Sequence, residues 1–306
     1  MDTTKRTLLV LLTGVLLAAG ALWALTRTPV RSEEAEPLCR ITADTLRQLQ
    51  YTYQGQTLTL DYDGGRWTLA EDPDYHLDIS VCGTMLTALA GLEAQRTLTP
   101  VPGEDYGLED PLVRLRVTGT EGERQTFVFG AENPVTGQIY LQEEGEQTLC
   151  TLPARRAAAF ARTKEELFAP FQPAGITASD IEAVECTLPG GGGYRLRKVQ
   201  TPDPDQPGSY RTVWQWDDRQ MLDPDQVQSL LSAVSSYVTS QHTGADPAAY
   251  GLETPAALLR VETGEKSCVL RYGQGEDGCY LSLSGDGSVY GVDLSVLETI
   301  TGWTGE

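Results

Sequence analysis

The sequence predicts an α+β chain of two tandem repeats, each of antiparallel strands with two helices, following one N-terminal transmembrane helix. Three observations predict it. The hexapeptide YGLEDP at Tyr106–Pro111 returns 144 positions later as YGLETP at Tyr250–Pro255, with five of six residues the same. Beside each copy, apolar residues at helical spacing give way to alternation of period two. Ahead of both lies an uncharged run of 20 residues, Thr7–Thr26.

The run comes first in the chain. As a helix it would be about 30 Å long, the thickness of a hydrocarbon core, and Trp23 near its far end suits an interface. It is apolar on every face, unlike a helix packed on a soluble core. It reads as a membrane anchor or a signal peptide. Ala19-Gly20-Ala21 fits a cleavage pattern, but the apolar run continues through Leu25 and favours the uncleaved anchor. The short basic tail, residues 1–6 with Lys5 and Arg6, favours the N-terminus inside and the acidic body outside, at the cell membrane. Residues 27–37, RTPVRSEEAEP, read as a stalk.

The body divides at the linker FAPFQPAG into repeat 1, residues 38–172, and repeat 2, residues 173–306, as a length of 306 residues suggests. ITADTL at Ile41 answers ITASDI at Ile176. Cys82, Met85, Leu86, Leu89 and Leu92 mark a helix, and Val227, Leu230, Leu231, Val234 and Tyr237 mark its counterpart. Asp78 and Asp223 stand where helix N-caps accept backbone N–H groups. Val113, Leu115 and Val117, and later Leu259 and Val261, alternate as strands. Each repeat closes on a helix, Ala154–Ala169 and Leu294–Trp303. The hexapeptide is then a corner: Gly107 and Gly251 reverse the chain, Pro111 and Pro255 extend it, and Tyr and Leu anchor it in the core.

The segments GGRWTLAEDPDYHLD, YGLEDP, FGAENPVTGQIYLQ and TLCTL resemble the bacterial family catalogued as domain of unknown function 4340. The strongest stretch is Gly130–Leu152, and the resemblance spans nearly the whole chain after the stalk. It implies membrane-anchored extracytoplasmic proteins, often encoded beside ABC transporter genes of the gliding-motility or auxiliary type, and so an accessory role in transport. It supplies no catalytic residues. The second repeat lacks a counterpart of Asn133-Pro134.

Chemistry-bearing patterns are scarce. His76 and His242 have no partner at metal-ligand spacing, and no nucleophile, metal or cofactor motif is found. No catalytic, cofactor-binding or metal residue is therefore assigned, and no cofactor is expected. Gly190–Gly193 lacks the Lys-Ser/Thr of a phosphate loop and reads as a hairpin turn. Asp203 and Asp205 sit as in a calcium loop without its closing Glu. The cysteines Cys39, Cys82, Cys150, Cys186, Cys268 and Cys279 do not coincide between repeats and read as buried free thiols. Trp67, Trp214, Trp216 and Trp303 read as core, with Trp67 and Trp216 at matching positions.

Formal net charge is −20. Residues 1–31 carry four cations against Asp2, net +3, leaving −23 on the rest. Such a surface repels nucleic acid. The expected function is a non-enzymatic, membrane-anchored extracytoplasmic module of an ABC-type transport or cell-envelope complex. Its partners would be the membrane, through residues 7–26, and transporter subunits. A glycan-binding or glycan-cleaving protein and a two-lobed solute-binding protein are the alternatives.

Overall fold

The structure is a computed structural model that describes residues 37–217, 220–222 and 224–303. β1 (Leu46–Tyr53) and β2 (Gln56–Asp63) make a hairpin, and β3 (Arg66–Leu69) adds to it. Both turns use positive φ, at Gln54-Gly55 and Gly64-Gly65, which matches the twist of the flanking strands. α1 (Ile79–Ala90) follows, then β4 (Arg96–Leu98), β5 (Val113–Gly119), β6 (Arg124–Glu132), β7 (Gln138–Glu143) and β8 (Leu149–Pro153). A one-turn helix, α2 (Arg155–Ala158), and a 3-10 turn at Glu165–Leu167 lead out of this region.

The second region runs β9 (Ile181–Thr187), β10 (Gly193–Pro202), β11 (Tyr210–Trp216), β12 (Gln220–Leu222), α3 (Pro224–Val234) and β13 (Ser240–Thr243). A 3-10 turn at Pro247–Tyr250 precedes β14 (Ala257–Thr263), β15 (Ser267–Gln274), β16 (Cys279–Leu283), β17 (Ser288–Val292) and α4 (Leu294–Gly302).

The strands form two antiparallel sheets. The first has the order β3-β2-β1-β5-β6-β7-β8-β4, and the second β12-β11-β10-β9-β14-β15-β16-β17-β13. The two orders correspond strand for strand, with β12 extra on one edge. This corrects the expected α+β class: the protein is mostly β, and its few helices are short. The alternating segments on both sides of each helix join one large sheet, because β1 pairs with both β2 and β5.

The expected helix at Ala154–Ala169 is a second correction. Only Arg155–Ala158 is α-helical, although the alanines favour helix. Tertiary contacts override propensity there. Phe160 and Leu167 are both fully buried, and the Lys164 carbonyl accepts from the Tyr75 hydroxyl and from Leu167 N–H. The membrane segment expected at 7–26 lies outside the described residues. Among the described residues no helix is long and apolar enough to cross a membrane.

Other local expectations meet the structure more closely. Asp78 accepts N–H bonds from Ser80 and Val81 and so caps α1; Asp223 lies outside the described residues. Cys82, Met85 and Leu89 of α1, and Val227, Leu230, Leu231 and Val234 of α3, are buried, whereas Tyr237 lies beyond the end of α3 and is exposed. Val113, Leu115, Val117, Leu259 and Val261 are all fully buried, and one continuous apolar core includes residues of both sheets. The strand register pairs Tyr62 with Trp67 and Lys198 with Trp214, which makes Trp214, not Trp216, the counterpart of Trp67.

Candidate functional site

Two features repay attention: the seam where the sheets meet and the pair of corners. At the seam, β13 presents Gln241 to the segment ahead of α1. Gln241 is buried, and its Oε1 accepts the His76 N–H at 2.9 Å while its Nε2 donates to the Asp74 carbonyl at 2.9 Å. The linker closes the same contact. Val238 N–H donates to the Phe171 carbonyl at 2.9 Å, and the Gln172 side chain donates to the Ser235 carbonyl. The Phe171 ring stacks on His76 at 4.2 Å and meets the edge of Tyr290 at 5.6 Å. The sheets are thus joined by part-buried polar bonds and aromatic packing.

His76, one of the two histidines, is spent in this joint, with Nδ1 on the Ala169 carbonyl at 2.8 Å. Lys164 pairs with the nearly buried Asp72 at 2.8 Å and lies over the Tyr75 ring. His242 is on β13 and half-buried. Its Nε2 lies 3.2 Å from the Ser240 hydroxyl, and its ring packs near Tyr250 and Tyr280. Burial, with the Lys164 ammonium nearby, lowers the His242 pKa and so favours the neutral ring. The Ser–His pair leaves no sequence motif, because it lies at i, i+2 on a strand, outside any hydrolase signature. It holds a potential nucleophile against a neutral base, while the Ser240 hydroxyl is packed onto Gly291.

The corners are built alike. Gly107 and Gly251 both adopt φ 69°, in the left-handed region. Each corner lies against a strand glycine, Gly130 on β6 against Tyr106 and Gly273 on β15 against Gly251. A Cβ on Gly107 would stand 2.5 Å from Ala131 N, one on Gly251 2.3 Å from the Gln274 carbonyl, and one on Gly130 2.1 Å from the Tyr106 carbonyl. Backbone therefore lies directly on backbone, and the Tyr106 carbonyl accepts the Ala131 N–H at 2.8 Å. Each corner tyrosine meets a strand tyrosine edge-on, Tyr106 with Tyr140 at 4.9 Å and Tyr250 with Tyr280 at 4.7 Å. Tyr106 and Leu108 are only half-buried, so close backbone contact, more than apolar anchoring, holds the first corner; Leu252 is buried in the second. Open depressions lie over both corners.

The family model described as Domain of unknown function (DUF4340) matches residues 67–255, more than half of the chain. The chain belongs to the DUF4340 family. In this DUF4340 chain the matched span takes in the first corner, both partners of the Gln241 joint and the second corner, which ends at Pro255. No curated protein and no solved structure matches the DUF4340 chain.

The remaining candidates separate. Gly190–Gly193 turns the β9–β10 hairpin, with Leu188 N–H on the Gly192 carbonyl. Asp203 accepts the Asp205 N–H inside an exposed turn. Among the described residues no group of three or more His, Cys, Asp or Glu is placed to hold a metal. Trp67 packs on Tyr62, and Trp216 packs on Trp303, which also meets Tyr194, so the tryptophans do not share one stacking surface. All six cysteines are free thiols, five buried and Cys268 half-buried.

Proposed function

We propose that the chain is a non-enzymatic binding module. It is held at the cell membrane through residues 7–26, with its two-sheet body on the extracytoplasmic side, as an accessory part of an ABC-type transport or cell-envelope complex. The observation that carries this reading is the packed seam. A two-lobed solute-binding protein needs a hinge and a ligand cleft between lobes, and a glycosidase needs two carboxyls across an open groove. Here the place for either is filled by Gln241, His76, Phe171 and Tyr290. A body of this kind suits surface recognition by its loops. The uncharged run and the basic tail support the membrane address, and the family resemblance supports the transport partner.

Three measurements on tagged full-length chain test the reading. Carbonate-washed membranes retain the chain, protease added to spheroplasts digests the body, and gentle detergent extraction brings transporter subunits with it. A chain that emerges repeatedly alone removes the accessory role. N-terminal sequencing beginning after Ala21 shows a processed leader in place of an anchor. Covalent labelling of Ser240 by a fluorophosphonate overturns the non-enzymatic assignment.

A further inference from the structure

The two corners share a backbone but not a surface. At the first, three large apolar side chains face water: Val101, 53% exposed, Leu112, 46%, and Val135, 91%. They belong to one end of the first sheet. Val101 N–H donates to the Tyr106 hydroxyl at 3.1 Å, Tyr106 packs on Tyr140, and Tyr140 accepts from Asn133 at 2.6 Å. Asn133 in turn accepts the Val135 and Thr136 N–H groups, which fixes Val135 at the tip of the β6–β7 loop. Leu112 directly follows the corner proline. The second corner presents none of this: its loop reads Gly275-Glu276-Asp277-Gly278, and no large apolar residue is exposed at Ala248–Ala257.

The same end is predominantly acidic. Glu104, Asp105, Glu109, Asp110 and Glu132 are all exposed, and no Lys or Arg occurs in 97–113 or 125–154. An apolar centre with a mainly acidic rim is an ordinary layout of a recognition surface: desolvated contacts supply affinity and the rim charges select and steer the partner. Scattered exposed apolar residues need no explanation, but a group fixed at one sheet end does.

We infer that the first corner, centred on Val101, Leu112 and Val135, is the docking surface for a basic, amphipathic segment of a partner protein. The inference rests on the reading of this chain as a binding module and names the chemistry of its partner. Anionic lipid and nucleic acid are repelled by the same carboxylates. The second corner, acidic but without the apolar centre, is an internal control.

The test applies tagged full-length chain, in a neutral detergent, to arrays of immobilised short peptides. The arrays are basic–apolar, acidic–apolar and basic without apolar residues. Only the basic–apolar set is retained, and retention weakens as salt rises. Joint replacement Val101→Ser, Leu112→Ser and Val135→Ser lowers affinity about tenfold with thermal stability unchanged. Glu109→Gln with Asp110→Asn and Glu132→Gln flattens the salt dependence, while Glu276→Gln with Asp277→Asn at the second corner leaves binding as it was. Equal retention of basic peptides without apolar residues, or wild-type binding by the serine variant, overturns the inference. A negative array beside continued co-purification with transporter subunits rejects this surface and leaves the binding-module reading standing.

Discussion

Gln241 and His76 are 165 residues apart in sequence, and the Gln241 side chain accepts the His76 N–H at 2.9 Å while returning a bond to the neighbouring Asp74 carbonyl. One amide thereby ties the edge of the second sheet to the strap that leads into α1. Removing it leaves the His76 N–H and the Asp74 carbonyl without this partner at a part-buried seam, and a desolvated group without a partner costs more than the bond itself contributes. Gln241→Leu is expected to destabilise the fold by about 2 kcal/mol, read as a lower urea midpoint, while Gln241→Glu at low pH, where the carboxyl is protonated, recovers part of the loss. A midpoint unchanged in Gln241→Leu contradicts the role given to this residue.

The corner glycines make a sharper case. Gly107→Ala and Gly251→Ala each place a Cβ against fixed backbone at positive φ. Each is expected to cost at least about 2 kcal/mol, combining left-handed strain with the clash. Gly64→Ala shares the sign of φ but meets nothing within 4 Å, and about 1 kcal/mol is expected from strain alone. Thermal melts of the three variants rank them; equal effects would show that the close approach is unimportant.

Asp78 links stability to pH. Hydrogen bonds from Ser80, with desolvation opposing them, hold its carboxyl below the ordinary carboxylate range. Because the folded pKa is the lower one, the stabilisation is present above the unfolded pKa and is lost as pH falls through the depressed folded value. Asp78→Ala is expected to cost about 1 kcal/mol at neutral pH. The gap between variant and wild type should close in acid, below about pH 4, followed by urea melts across pH.

The buried tyrosines set the alkaline limit. Burial raises Tyr51, Tyr194 and Tyr272, and Tyr290 is pushed up to about 12 by burial and by its bond to Asp286. A raised folded pKa favours the native state below the unfolded value and loses that advantage as pH rises through the folded one. Stability should therefore decline above about pH 10, with part of the tyrosinate absorbance appearing only as the chain unfolds. Early, reversible ionisation of every tyrosine would contradict this.

The thiols behave in parallel. Burial pushes Cys39 and Cys82 up to about 11, so little thiolate exists at pH 8. Native chain should react slowly with a disulfide reagent, with half-buried Cys268 leading, and all six groups should react in denaturant.

Sequence patterning reached some of this and missed the rest for physical reasons. Alternation located the buried strand residues Val113, Leu115 and Val117, because a strand with one face in the core leaves a period-two record. The repeated hexapeptide announced a corner. Its mechanism was hidden, since Gly107 lies on Ala131 and Tyr106 on Gly130, contacts made through backbone and not through hydropathy. A weak signal existed: an aromatic-glycine pair, Phe129-Gly130 and Tyr272-Gly273, precedes each loop. The α+β reading overweighted local helix propensity at Ala154–Ala169, where burial of Phe160 and Leu167 decides instead. Gln241 gave no sign at all, because a polar residue on a strand reads as solvent-facing until its distant partner is known.

The claim on which the account depends is that the two sheets form one body joined across the Asp74–Gln241 seam. Hydrogen exchange followed by mass spectrometry in rising urea tests it most directly, by comparing peptides from β5–β6 with peptides from β14–β15. A single shared midpoint for both sheets, shifted together by Gln241→Leu, is the predicted result. Separate midpoints in the wild-type chain, with one sheet opening while the other stays protected, would contradict it.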